Sequence, residues 1–452
     1  MTGDPKPFTF RSIALPVFLP ALLFATGEGA ILPIIPITAH NLGASLALAG
    51  LVSSMVTVGT LTGDLPSGAV VSRLGERRSM IVAAFVALGG IAVCLLAANP
   101  WVLLAGVFLV GLATAVFALA RHAFMTTHVP LRYRARALST LGGVFRGGWF
   151  LGPLIASAVI AATGTPQSAF WIFAAACALA ATSLLVLPDP ERAATGAAGA
   201  WAGSRAAGPG AADGAAEPGA AARPGAQRTT AAREPGHGLF RAIRTHRTVL
   251  VRMGSGAALV GAARSARITL LPLWALSIGL GEANTALVIG IAGGVEFALF
   301  YTSGHIMDRW GRLWSVMPCM LGLGAGFLTL AFLHDVPGRA GWFVAVVLLL
   351  SVANGLGSGI IMTLGADLAP RTQPASFLGA WRFASDGGQA AAPLLVSGLT
   401  AVASLAFASG TIGVLALLGA GILARYVPRY VPHRRRAPSR ASELADGARE
   451  GA

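Results

Sequence analysis

Along the chain, apolar runs of about 20 residues or more alternate with short polar connections, and a helix of that length crosses a hydrocarbon core of roughly 30 Å. Twelve runs can be drawn: residues 13–37, 46–70, 80–98, 101–127, 137–162 and 169–187, then 249–278, 286–307, 314–333, 342–368, 377–399 and 405–426. The first carries Glu28 and continues into Leu32, Pro33, Ile34, Ile35 and Pro36 with no small-x-small cleavage site, so it reads as a span rather than a signal peptide. Residues 188–247 interrupt the series; rich in Ala, Gly and Pro, they read as a disordered connector. The pattern predicts an all-α membrane protein of twelve transmembrane helices in two six-helix halves, residues 1–187 and 248–427, with a linker at 188–247 and a basic tail at 428–452.

Composition sharpens this picture. Of 452 residues, 55% are hydrophobic and only 11% charged, with a mean hydropathy of +0.71, which excludes a soluble globular protein. The net charge of +15 does not point to nucleic acid, because the arginines cluster in alternate connections. They mark the N-terminus (Lys6, Arg11), then Arg73, Arg77 and Arg78, then Arg132, Arg134 and Arg136, the linker, Arg309 and Arg312, Arg371, and the tail; among the intervening loops Arg339 is the exception. Basic short loops stay on the cytoplasmic side, so both termini are expected there, in a multi-pass protein held by the lipid bilayer. A single lysine, Lys6, in a chain dominated by Ala, Gly and Arg suggests a high-GC bacterial source and hence the inner membrane. Cys94, Cys177 and Cys319 sit in three separate runs, a spacing that suits core packing rather than a disulfide or metal site.

The chain also repeats itself. Gly68, Arg73 and Gly75 recur as Gly304, Arg309 and Gly311 at an offset of 236 residues, which also relates Pro36 to Pro272 and Glu28 to Arg264. Thr127, Pro130 and Pro153 recur at an offset of 240 as Asp367, Pro370 and Pro393. The same offset relates Arg146 in the fifth run to Asp386 in the eleventh. Two copies of one six-helix unit follow.

Gly304, Asp308, Arg309, Gly311 and Arg312 reproduce a Gly-x-x-x-Asp-Arg-x-Gly-Arg loop after an even-numbered run, and by these residues the chain resembles the major facilitator superfamily, within it the twelve-span drug:proton antiporters. The resemblance covers both halves but neither the linker nor the tail. In the first copy Ser72 replaces the acid and Glu76 the first terminal arginine; in the second, Leu313 replaces the last basic residue. The fifth-run stretch from Gly147 to Gly152 and Pro153 is similar to the family's antiporter motif, while Val107 stands where a fourth-span arginine is usual. The resemblance implies an alternating-access transporter driven by the proton gradient, with no cofactor and a monomeric state, and gives the loop motif the role of a cytoplasmic latch. In that latch Gly304 allows close helix approach, Gly311 a turn with positive φ, and Asp308 accepts from arginines or caps a helix. A basic turn anchored to lipid headgroups is the plainer alternative.

Ionisable residues inside spans cost roughly 2.5 to 3.5 kcal/mol on insertion scales and mark functional candidates. Glu28, between Gly27 and Gly29 and before two prolines, is the expected proton site. Arg264 and Arg267, one turn apart in the seventh run, are expected either to face Glu28 as a coupling pair or to bridge the halves statically. Asp64 is a candidate for the acid that Ser72 lacks, or a kinked-helix contact. Glu296 in the eighth run is a second carboxylate candidate, or a group capped by polar neighbours. Arg146 and Asp386 are an expected interdomain gate pair, unless Arg382, one turn from Asp386, partners it locally. Arg121, His122 and His128 are expected to snorkel to the interface. Trp149, Trp274 and Trp381 either line a cavity or pack.

The chain lacks His-Glu-x-x-His, a phosphate-cradling Gly-x-x-x-x-Gly-Lys-Ser/Thr loop and clustered Cys and His, so an enzyme is not expected. The expected function is proton-coupled export of a small amphipathic compound or drug. Import of a small anionic metabolite, motivated by Arg264 and Arg267, and a non-transporting receptor are the alternatives.

Overall fold

The computed structural model describes residues 17–129, 131–187, 244–334, 336–370 and 374–431. Lys6, Arg11, Arg371, the linker up to residue 243 and the tail from 432 lie outside these. The first half comprises α1 (Leu19–Ile31), α2 (Ile35–Asn41), α3 (Leu46–Leu74), α4 (Glu76–Leu95), α5 (Pro100–His128), α6 (Leu131–Thr163) and α7 (Ser168–Val186). The second enters through one turn and a π-helical stretch, Leu250–Gly254. It comprises α8 (Ser255–Ser277), α9 (Glu282–Arg309), α10 (Leu313–Phe332), α11 (Arg339–Leu356), α12 (Ile360–Leu368), α13 (Pro374–Val402) and α14 (Leu405–Tyr430).

Local chemistry explains where the helices start and break. Ser45, Asn99 and Ser404 cap α3, α5 and α14 by accepting backbone N–H groups, and Pro100 sits at the first turn of α5, where no donor is lost. Pro33 and Pro36 split the first span into α1 and α2. Gly359, at φ +80°, separates α11 from α12, and Ser303 and Ser315 reach the carbonyls this break releases: Ser315 Oγ is 2.6 Å from Leu356 O, and Ser303 Oγ is 2.7 and 2.8 Å from Leu356 O and Ser358 O. Without water, such carbonyls must be satisfied from within the protein.

Among the described residues, counting α1–α2 and α11–α12 as one span each, ten spans are long and apolar enough to cross a membrane. Two helices fall short by that measure. α8 carries Arg264 and Arg267, and α13 carries Arg382, Asp386 and Gln389, yet each lies within a bundle and completes the twelve. The packing is duplicated: α1 against α6 and α7, α3 and α4 against α5, and α4 against α7 match α8 against α13 and α14, α9 and α10 against α11, and α10 against α14. The halves meet through α6 on α9 and α3 on α13, a pair of contacts related by the same repeat.

Within a half, contact is at backbone distance. A Cβ on Gly152 of α6 would lie 2.2 Å from Thr26 O of α1, and one on Gly388 of α13 would lie 2.1 Å from Ala258 O of α8. Between halves, the end away from the basic loops is sealed. Ser397 Oγ donates to Ala47 O (2.6 Å), Asn41 Nδ2 to Glu282 Oε1 (3.4 Å), and Leu154 fills the space at Gly290. At the basic-loop end a Cβ on either Gly68 or Gly304 would meet nothing within 4 Å. The close approach expected at Gly304 is therefore not made.

Overpacking a tight backbone contact costs about 1–3 kcal/mol. Gly152→Ala is expected to lower the thermal midpoint of the purified protein by several degrees, whereas Gly304→Ala, with open space for its methyl group, lowers it not at all; a fluorescence thermal-shift series compares them.

Candidate functional site

The interface between the halves encloses a cavity of ≈ 90 Å³. Its walls are Gly29 and Pro33 of the first span, Arg146, Trp149 and Pro153 of α6, Arg267 and Pro272 of α8, and Glu296 and Phe297 of α9. Pro33, Pro153 and Pro272 fall at matching depths, where helix irregularity is tolerated only beside a cavity or buried protein.

On the second half's side, Arg267 forms an ion pair with Glu296, whose other oxygen accepts from Asn354 Nδ2 at 2.6 Å. Arg264 lies one turn away and turns toward the α11–α12 break, with Nη1 3.4 Å from Gly357 O. On the first half's side, Glu28 is only 2% exposed; Thr114 Oγ1 donates to its Oε1 and Trp149 Nε1 to its Oε2, both at 3.1 Å. Neither arginine of α8 faces Glu28. That expectation fails because the repeat offset fixes depth along a helix, whereas Glu28 is rotated into its own half, behind the Trp149 ring.

Arg121 is the residue that sequence reasoning misplaced most. It is 6% exposed, not snorkelled, with its guanidinium 4.2 Å from the centre of the Phe145 ring, which in turn lies 5.3 Å from the Trp149 ring. Its position inside an apolar run was the available signal, and the basic loop just beyond it suggested the wrong direction. His122, its neighbour, is exposed, with Nδ1 2.7 Å from Ala118 O.

The Arg146–Asp386 gate pair is absent. Arg146 stacks over Phe300 at 4.7 Å, and Asp386 accepts from Gln389 Nε2 (3.1 Å) and lies 3.7 Å from Arg382. The reason is packing: α6 lies on α9 and α13 on α3, so the two residues take partners from their own surroundings. Asp64, exposed on α3, does not serve the motif at Ser72; the charges that reach it are Arg382 and Asp386 on α13. Among the tryptophans, only Trp149 lines the cavity. Trp274 and Trp381 are buried, the latter donating to Ile361 O at 2.9 Å.

At the loop motif, Gly311 and Gly75 have φ of +97° and +80°, the left-handed turn that favours glycine. Arg312 is the hub. Its Nε donates to Asp367 Oδ2 (2.8 Å) and its Nη1 to Met307 O (2.8 Å) and Asp308 Oδ1 (3.3 Å), and these carboxylates hold the guanidinium even more firmly protonated than usual. Asp308, 82% exposed, neither caps a helix nor meets another arginine at ion-pair distance. Arg309 stacks loosely over Trp310, and Arg73 is exposed. The first copy keeps the contact in altered form: Glu76, equivalent to Arg312, accepts from Thr127, equivalent to Asp367, at 3.1 Å. Ser72 and Glu76 therefore do not abolish the loop's cross-link; they replace an ion pair with a hydrogen bond.

The family model described as Major Facilitator Superfamily matches residues 17–393. "Probable inositol transporter 3" of Arabidopsis thaliana is 27% identical over 189 residues, 41% of this chain and 32% of that protein. "Inositol transporter 4" of the same plant is 27% identical over 139 residues, 31% of this chain and 24% of that protein. The aligned stretches thus span a third or less of these curated relatives. Among solved structures, the nucleoside transporter NupG superposes with a TM-score of 0.70 at 13% identity, covering 91% of this chain and 100% of that one. The inward-open xylose transporter XylE from E. coli gives 0.66 at 16%, covering 97% and 99%. These likenesses establish the fold, and the profile match over most of the chain establishes kinship: the protein belongs to the Major Facilitator Superfamily and is a multi-pass membrane protein.

Proposed function

We propose that the protein is a proton-coupled carrier of a small, hydroxyl-bearing anionic metabolite. The observation that carries this reading is the charge of the cavity wall. Arg267 is balanced by Glu296, but Arg146 pairs with no carboxylate among the described residues and rests only on Phe300. A desolvated guanidinium without a counter-ion is costly, and an anionic ligand supplies one through charge-assisted hydrogen bonds. A cationic drug would meet Arg146 unfavourably, so drug export gives way to the metabolite reading.

Hydroxyl groups on the substrate suit the Arg267–Glu296–Asn354 cluster, which offers both donors and acceptors. The partial similarity to plant inositol transporters favours polyhydroxylated ligands, and on its own would favour a neutral polyol, the second reading. Glu28 is the proposed proton site, a buried carboxyl reached by two neutral donors and by no ion-pair partner. With the basic loops on the cytoplasmic side, the sealed end is extracytoplasmic. Substrate then moves by rocking of the two halves about the midplane cavity.

Counterflow in proteoliposomes with labelled D-glucuronate, myo-inositol and ethidium separates the readings. Glucuronate exchange is expected, reduced at least tenfold by Arg146→Gln; exchange of myo-inositol alone supports the neutral polyol, and exchange of ethidium alone overturns both. Glu28→Gln is expected to abolish accumulation driven by a pH gradient while the protein still elutes as a folded, monodisperse species. Undiminished pH-driven accumulation in that variant would remove Glu28 from the mechanism.

A further inference from the structure

Trp149 belongs to two sites at once. Its ring forms part of the cavity wall, and its indole N–H is one of the two donors to Glu28, a residue that does not itself line the cavity. We propose that Trp149 is the positioning residue that ties ligand to proton: a ligand seated in the cavity turns the indole away from Glu28, and the carboxylate takes up a proton in place of the lost hydrogen bond. This rests on the reading of the cavity as a substrate site and of Glu28 as a proton site, and adds the direction of their coupling.

The cavity is tight around the ring. Small-molecule sites typically enclose about 300 Å³ or more, and this cavity offers ≈ 90 Å³. Room must come from the walls, and the backbone beside Trp149 cannot yield. A Cβ on Gly29 would lie 3.0 Å from Trp149 Cα, and one on Gly148 would lie 2.6 Å from Ala25 Cβ, so α1 and α6 are locked at backbone distance. Phe145 backs the ring at 5.3 Å. On this wall, what can yield is rotation of the half-buried indole itself, the largest side chain of the lining.

When the indole turns, Glu28 keeps only Thr114 as a donor. The ionisable groups facing it are Arg121 from α5 and Cys177 from α7. Arg121 is stacked on Phe145 and makes no ion pair with Glu28, so it does not replace the missing N–H at hydrogen-bond distance. An indole donates and never accepts, so its hydrogen bond favours the carboxylate, and its withdrawal favours the acid. The proton comes from bulk water and resides on the Glu28 carboxyl. Ligand and proton therefore bind together, the sign required for cotransport rather than exchange.

Infrared titration of the purified full-length protein tests the first link without any ligand. The C=O band of protonated Glu28 is identified by its loss in Glu28→Gln. In Trp149→Phe, which keeps a ring but removes the N–H, the ratio of acid to carboxylate at a fixed pH is expected to rise about tenfold, as befits one hydrogen bond to a charged group; an unchanged ratio overturns the proposal. The wild type tests the second link independently of how that variant folds. Adding D-glucuronate or myo-inositol in weakly buffered solution should cause proton uptake and growth of the Glu28 band, and binding with proton release, or with neither change, overturns it. If neither probe binds, the substrate reading fails instead, while the ligand-free bands still decide whether Trp149 governs Glu28.

Discussion

A bilayer interior supplies no water to solvate a charge, so each ionisable group within the bundle must be answered by the protein or by what the protein carries. This constraint orders the centre of the molecule. In the second half, Arg267, Glu296 and Asn354 form an ionic cluster, while Arg264 is diverted to the helix break. In the first half, Glu28 and Arg121 are both buried without pairing with each other; Trp149 donates to the one and Phe145 stacks on the other. Arg146 alone among the cavity's charges is left to an aromatic face, and the interface between the halves is where that imbalance is exposed.

Both halves use the same scaffold to hold these different contents. The contacts of α1, α3, α5 and α6 are repeated by α8, α9, α11 and α13, and Gly148 and Gly388 provide equivalent close approaches. Equivalent positions nevertheless hold unlike groups: Glu28 against Arg264, Arg146 against Asp386, Glu76 against Arg312. The repeat conserves backbone geometry, and chemistry is laid over it independently in each copy. Even the loop cross-link survives this divergence, as an ion pair in one half and a hydroxyl–carboxylate bond in the other.

What was legible in the sequence follows from what a linear pattern encodes. Run length set the spans, the alternation of arginines paired the loops, and the spacing of Gly304, Asp308, Arg309, Gly311 and Arg312 identified the family; Gly311 has the predicted turn. Depth was legible too, since Pro33, Trp149, Pro153 and Arg267 do meet around one cavity. Rotation about the helix axis was not. Glu28 and Arg146 were assigned partners at the right depth and on the wrong face, and Arg121 was sent to the interface, because a span that is apolar on all sides has no hydrophilic stripe by which to orient it; for Asp386 the alternative, its local neighbour Arg382, is the partner found. The Trp149–Glu28 bond was invisible for the same reason: it depends on two neighbouring helices presenting one side chain each to a shared groove.

The break between α11 and α12 has a mechanical meaning. In the first half the equivalent helix, α5, runs unbroken from Pro100 to His128, a stiff strut. In the second half the same strut is jointed at residues 357–359, its loose carbonyls gathered by two serines of α9 and α10 and by Arg264 of α8. The arm beyond the joint, α12, carries Asp367 and through it the hub arginine of the loop motif. The second half thus has at its basic-loop end a joint that the α5 strut of the first half lacks.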